Sequence, residues 1–125
     1  MKNVTKRGIE YDPNICPVRH VLDGIGDKWT ILVITALKPG ALRFSQIKRD
    51  IPDVSQRMLT QTLRKLERDG FLLRTVTPSI PPRVDYELTT LGRSLLATLE
   101  PLAAWALDKR DAIAQARADY DAGAV

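Results

Sequence analysis

Residues Ser55-Gln-Arg-Met-Leu-Thr-Gln-Thr-Leu-Arg-Lys-Leu-Glu-Arg-Asp-Gly70 decide how the rest of the chain is read. At about 100° per residue, Met58, Leu59, Thr62, Leu63 and Leu66 gather on one side of a helix. Arg57, Thr60, Gln61, Arg64 and Arg68 gather on the other, with Gln56 and Lys65 at its margins. Ser55 is suited to cap the first turn, Val54 and Leu59 to staple it, and Gly70 to stop it. No capping box forms, because Met58 stands where Glu or Gln would reach back. A face of Arg, Gln and Thr is equally what a solvated helix surface carries, so the neighbours have to decide.

Upstream, Arg43 to Ile51 reads as a short helix with Phe44, Ile47 and Ile51 turned inward. Pro52 biases Ile51 out of the helical region, and Pro52-Asp53-Val54 makes a tight turn into Ser55. Short helix, turn and longer helix form a helix-turn-helix. Downstream, Phe71 to Thr77 reads as a strand and Pro78 to Pro82 as a rigid tip. Arg83 to Leu88 returns as a second strand with Val84, Tyr86 and Leu88 inward. A hairpin directly after a helix-turn-helix is a wing. In that setting Arg, Gln and Thr are the side chains that meet base edges and phosphates in a major groove.

Further out, Lys28 to Lys38 is apolar nearly all round, which predicts a helix central to the core with Trp29 as an anchor. Asp27 can cap it and Pro39-Gly40 ends it. Gly24-Ile-Gly26 separates it from an earlier helix that begins at Cys16, with Pro17 in its first turn and Val18, Val21 and Leu22 on its apolar side. Residues 1–15 read as a flexible arm in which basic Lys2, Lys6 and Arg7 could meet a polyanion. His20, the only histidine, has no partner spaced for a metal and reads as structural or solvent-facing.

Thr89 caps a last helix, from Leu91 to about Arg117, and residues 119–125 are expected as a disordered tail. Leu91, Leu95, Leu99, Leu102, Ala106 and Ile113 form one stripe; Leu96, Ala103 and Leu107 form a second. Pro101 is expected to kink this helix. One stripe can pack on the domain. The other is buried either within the same subunit or against a second one, and so few remaining elements favour a partner subunit.

Composition sets the bounds. A chain of 125 residues, 44% hydrophobic, makes one domain, here residues 16–118, with a modest core. The net charge of +4 permits a polyanionic partner without establishing one. Its distribution says more: residues 43–70 hold seven Lys or Arg against four acids, and residues 100–125 three against five. A single cysteine excludes an internal disulfide framework and fits a reducing cytoplasm. The start lacks the apolar core of a signal peptide, and no run suits a membrane span. Paired carboxylates, metal-ligand spacing, a phosphate loop and a Ser/Cys–His arrangement are not evident, so neither an enzyme nor a cofactor is expected.

Several segments together resemble one family. Cys16-Pro17-Val18, Leu22 to Thr30, Arg43-Phe44, Ile51 to Thr60, Leu63 to Gly70 and Val84 to Thr89 are similar to the HxlR-type winged helix-turn-helix transcription regulators, which are MarR-like. The similarity covers about residues 15–105. It implies a mainly α fold with a small β-hairpin (α+β), dimerised through N- and C-terminal helices and bound to pseudo-palindromic operator DNA. It also implies, for some members, an oxidant or electrophile sensed through the cysteine at the position of Cys16.

The leading expectation is therefore a cytoplasmic homodimer that binds double-stranded operator DNA. Arg57, Thr60, Gln61 and Arg64 would read bases, with Gln56 beside them. Ser45, Gln46, Lys48, Ser55 and Lys65 would hold phosphates, and Arg83 would approach the adjacent minor groove. The alternative is a winged-helix module that binds protein, for which an apolar or acidic third-helix face would be expected. Cys16 has two readings. Before Pro17 at a helix start, with Arg19 and His20 within a turn, its thiol would ionise readily and sense oxidants. Otherwise it is a small apolar residue packing the first helix.

Overall fold

In the computed structural model, residues 3–4, 10–11, 22–23 and 25–123 are described. The elements run β1 (Asn3–Val4), β2 (Glu10–Tyr11), α1 (Lys28–Ala36), α2 (Phe44–Asp50), α3 (Gln56–Arg68), β3 (Leu72–Thr77), β4 (Arg83–Leu88) and α4 (Thr90–Asp121). Within the stretch expected as an arm, β1 pairs antiparallel with β2. Cys16, His20 and most of the expected first helix lie outside the described residues; Leu22, Asp23 and Ile25 are helical. That turn ends at Gly26, whose N–H donates to Leu22 O at 2.7 Å. A Cβ on Gly26 would sit 2.7 Å from the same oxygen, so a side chain there would force the two backbones apart.

Asp27 caps α1 by accepting from the Trp29 N–H at 2.8 Å. Thr30, Val33 and Ile34 are buried, followed by Leu37 just beyond the helix. Two expectations for α1 need correction. Leu32 is 42% exposed, so the helix has an outer side. Trp29 is only partly buried, with the Lys28 ammonium 4.5 Å from its ring centroid, a cation–π contact at the core's edge.

The core gathers Val33, Ile34 and Leu37 from α1 and its end, Ile47 from α2, and Leu59, Leu63 and Leu66 from α3. Ile51 and Val54 close it across the turn, Leu72 and Leu88 come from the hairpin, and Leu95, Leu96 and Leu99 from α4. Each such leucine or isoleucine contributes roughly 1.5–3 kcal/mol through removal from water. The hairpin is antiparallel, with Leu72 opposite Leu88, Arg74 opposite Tyr86 and Thr77 opposite Arg83. Leu42 adds a one-residue bridge to it: its N–H donates to Tyr86 O at 2.9 Å and Tyr86 N–H returns to Leu42 O at 2.8 Å. α2, turn, α3 and hairpin thus form a winged helix-turn-helix.

The last helix differs from its sequence reading in three ways. It runs through Pro101 and on to Asp121, beyond the expected boundary near residue 118. Leu96, assigned to a stripe awaiting a partner, is buried in the same subunit beside Leu95 and Leu99. After Leu99 nothing on α4 is buried: Leu102, Trp105, Leu107, Ile113 and Tyr120 are all exposed. Pro101 therefore stands where the helix leaves the core, with about 30 Å of helix continuing alone. Among the described residues, no helix is long and apolar enough to cross a membrane.

Candidate nucleic-acid interface

α3 is fixed at both ends by local chemistry. Ser55 Oγ accepts from the Met58 N–H at 3.0 Å, and Val54 and Leu59 are both buried beside that cap. At the other end Gly70, at φ +84°, donates to Glu67 O at 3.1 Å. Phe71 N–H donates to Leu66 O at 2.9 Å, which completes a Schellman motif that only glycine fits without strain. Leu59, Thr62, Leu63 and Leu66 face the core, and Met58 is half-buried. The helix cannot roll about its axis without exposing that stripe.

Its outer face carries Gln56, Arg57, Gln61, Arg64 and Arg68, all exposed. None of these arginines has an ion-pair partner among the described residues. Thr60 is half-buried and donates to Gln56 O at 2.9 Å, so its hydroxyl oxygen keeps only acceptor capacity.

The residues expected to hold phosphates are mostly engaged within the chain. Ser55 Oγ caps α3 yet keeps its hydroxyl proton to donate. Gln46 Oε1 accepts from the Arg43 N–H at 2.9 Å across the first turn of α2, and its amide N–H groups stay available. Ser45 is exposed in the same turn. Lys48 Nζ donates to Pro52 O at 2.9 Å, tying α2 to the turn. Lys65 Nζ donates to Asp23 O at 3.1 Å, so this side chain reaches toward the preceding helical turn rather than lying freely on the outer face. In the wing, Arg83 Nε lies 3.0 Å from Asp85 Oδ2, which offsets part of its charge. The sequence-stretch bases Lys2, Lys6 and Arg7 lie outside the described residues.

Sequence reading overlooked a cleft between α3 and the wing. It has a volume of about 290 Å³ and is lined by Thr60, Leu63, Arg64, Glu67, Arg74 and Tyr86. The signal was available in the strand alternation: Leu72, Arg74 and Val76 share a face, and Leu72 is buried, so an arginine stands on the inward side of β3. Among the described residues no group of His, Cys, Asp and Glu is arranged for a metal ion.

The fold recurs in known proteins. An HTH-type transcriptional regulator of Methanothermobacter thermautotrophicus is 49% identical over 94 residues, covering 75% of this chain and 72% of that protein. The solved structure of the transcriptional regulator ytfH from Salmonella typhimurium matches with a TM-score of 0.76 and 38% identity, over 83% of this chain and 93% of that one. The redox regulator HypR in its reduced form matches with a TM-score of 0.75 and 38% identity, over 79% and 98%. A family model described as HxlR-like helix-turn-helix matches residues 24–113, and the chain belongs to that family of transcriptional regulators.

Proposed function

We propose that two copies of this chain bind double-stranded operator DNA in the cytoplasm, each laying α3 in a major groove with its wing at the adjacent minor groove. The observation that carries this reading is the exposed row of Arg57, Gln61, Arg64 and Arg68, backed by a buried stripe that holds its orientation. Arg57, Thr60, Gln61 and Arg64 serve as base readers; Ser45, Gln46 and Ser55 offer donors to phosphates; Arg83 retains N–H groups for the minor groove. The work is binding rather than catalysis. Pairing of subunits is supported by the uncovered half of α4, where Leu102, Trp105, Ile113 and Tyr120 lie along one side.

The test is a footprint on the DNA flanking the protein's own gene, followed by titration of wild type and variants on the protected site. Arg64→Ala should cost about 1–3 kcal/mol and relax sequence preference, while Ser45→Ala, which removes an exposed phosphate donor, should weaken all sequences alike. An Arg64→Ala protein with unchanged affinity and preference would show that α3 is not the reading element.

Cys16 is the seat we propose for an oxidant or electrophile response, supported by the likeness to the redox regulator HypR and by the sequence, in which Cys16 directly precedes Pro17 where a helix start, and with it a favoured thiolate, is expected. With one cysteine per chain, a reversible product would be an inter-subunit disulfide, a mixed disulfide or an adduct. A Cys16→Ser protein that still released DNA on oxidant treatment would remove this role.

A further inference from the structure

Strand pairing sets Arg74 directly opposite Tyr86, on the face of the hairpin that carries buried Leu72 and Leu88. An aliphatic residue would be expected there. The fold instead opens the cleft of about 290 Å³, in which Arg74 and Arg64 face one space with Glu67 as the only acid among the described residues that line it. Neither guanidinium has an ion-pair partner among the described residues. Two cations without an ion-pair partner among the described residues, in one recess, favour an anion there. The recess is open and mostly polar, unlike the enclosed apolar pockets that hold drug-sized ligands.

Position identifies the anion. This inference rests on the proposed mode of DNA binding, with α3 in the major groove and the wing at the neighbouring minor groove. The ridge that separates those two grooves is a sugar–phosphate backbone, and it has to pass between the two elements. The cleft is the space between them.

We propose that the cleft seats a backbone phosphate and that Arg74 is its principal cation. Arg64, one wall away, remains the residue that reaches base edges. The contact positions the duplex against α3 without reading sequence. Glu67 opposes it, and tempers how tightly unrelated DNA is held.

The experiment measures binding of wild type, Arg74→Ala and Glu67→Gln to the promoter duplex and to an unrelated duplex across a salt series. Arg74 and Glu67 are exposed, so both variants should keep the wild-type fold by circular dichroism. Arg74→Ala should lose about tenfold on both duplexes alike and flatten the slope of log affinity against log salt by about 0.9, the loss of one phosphate contact. Glu67→Gln should strengthen both a few-fold. Promoter duplexes with single neutral methylphosphonate linkages give the direct readout: one position that weakens wild type should leave Arg74→Ala unaffected. The inference is overturned if the salt slope of Arg74→Ala is unchanged, if its loss is confined to the promoter, or if no methylphosphonate position becomes silent. It is also overturned if inorganic phosphate displaces DNA from wild type far better than chloride at equal ionic strength, which would make the cleft a site for free anions. Failure of wild type to bind any duplex would bring down the DNA-binding reading itself, whereas normal wild-type binding with an indifferent Arg74→Ala removes this inference alone.

Discussion

Gly92→Ala sets two effects of opposite sign against each other. Within a helix, alanine is favoured over glycine by about 1 kcal/mol, so propensity alone predicts a more stable protein. The structure predicts the reverse. A Cβ at Gly92 would lie 2.1 Å from Phe71 O, 3.1 Å from Phe71 C and 3.2 Å from Leu88 Cδ2. To reach an ordinary contact, α4 and the Phe71 carbonyl must separate by about 1 Å, a movement of the kind that costs about 1–3 kcal/mol in packed interiors. That carbonyl is not free to turn aside, because it accepts from the Thr89 N–H at 3.1 Å while Phe71 N–H is committed to Leu66 O. Weakening the Thr89 bond costs about 1 kcal/mol more. The steric and hydrogen-bond losses exceed the propensity gain, and the net expectation is destabilisation by about 1–3 kcal/mol. Equilibrium urea unfolding of wild type and variant, at one fixed protein concentration, measures the difference. A Gly92→Ala protein as stable as wild type, or more so, would refute the close-packing argument.

Two further outcomes follow from named contacts. Ser55→Ala removes the Oγ acceptor of the Met58 N–H and should lower stability by about 1 kcal/mol in the same unfolding assay, with Ser55→Gly costing only a few tenths. Ile113→Glu alters the uncovered part of α4, so by analytical ultracentrifugation it should give folded monomers, whereas Leu96→Glu should fail to fold because Leu96 is 5% exposed within its own subunit. Dimers persisting in Ile113→Glu at micromolar concentration would remove that stripe from the subunit contact.

The parts of the fold that were legible in the sequence are those specified within one turn or one strand. Ser55 and Gly70 act on α3 through backbone groups three residues away, Val54 is buried beside its first turn, and the outcome matches the pattern. The wing was legible because Val84, Tyr86 and Leu88 alternate directly after the proline-rich tip Pro78 to Pro82. What was illegible depends on which distant segment arrives. Leu42 bridges Tyr86 across 44 positions of chain, and nothing in the residues around Leu42 announces a strand. The lysines show the same limit at the candidate site. Lys65 sits on the polar margin of α3, but its ammonium finds Asp23 O, 42 residues earlier. Helical spacing gives the side on which a long side chain starts, not the acceptor on which it ends. Leu96 was misread for a related reason: α4 packs a broad side, including both Leu95 and Leu96, onto the core before Pro101 and nothing after it. A stripe drawn along the whole helix averages those two halves.

The junction between α3 and α4 shows why the two halves of the proposed function belong to one fold. Thr89 Oγ1 donates to Gly70 O at 2.6 Å and accepts from the Gly92 N–H at 3.0 Å. Thr89 N–H donates to Phe71 O, and Phe71 N–H donates back to Leu66 O inside α3. One threonine therefore caps the long helix while holding the glycine that stops α3. At the far side of the same helix, Glu100 pairs with Lys38 beyond the end of α1, and Arg93 donates to Lys38 O at 3.3 Å. α4 is thus tied to α3 at its first turn and to the end of α1 one and three turns later, before it leaves the core. A side chain or partner that tilted the free half of α4 would act on a helix whose root is hydrogen-bonded to the end of α3. In a dimer joined through those free halves, the separation and angle of the two α3 helices would be set by α4, because the short hydrogen-bonded junction leaves α3 little freedom of its own.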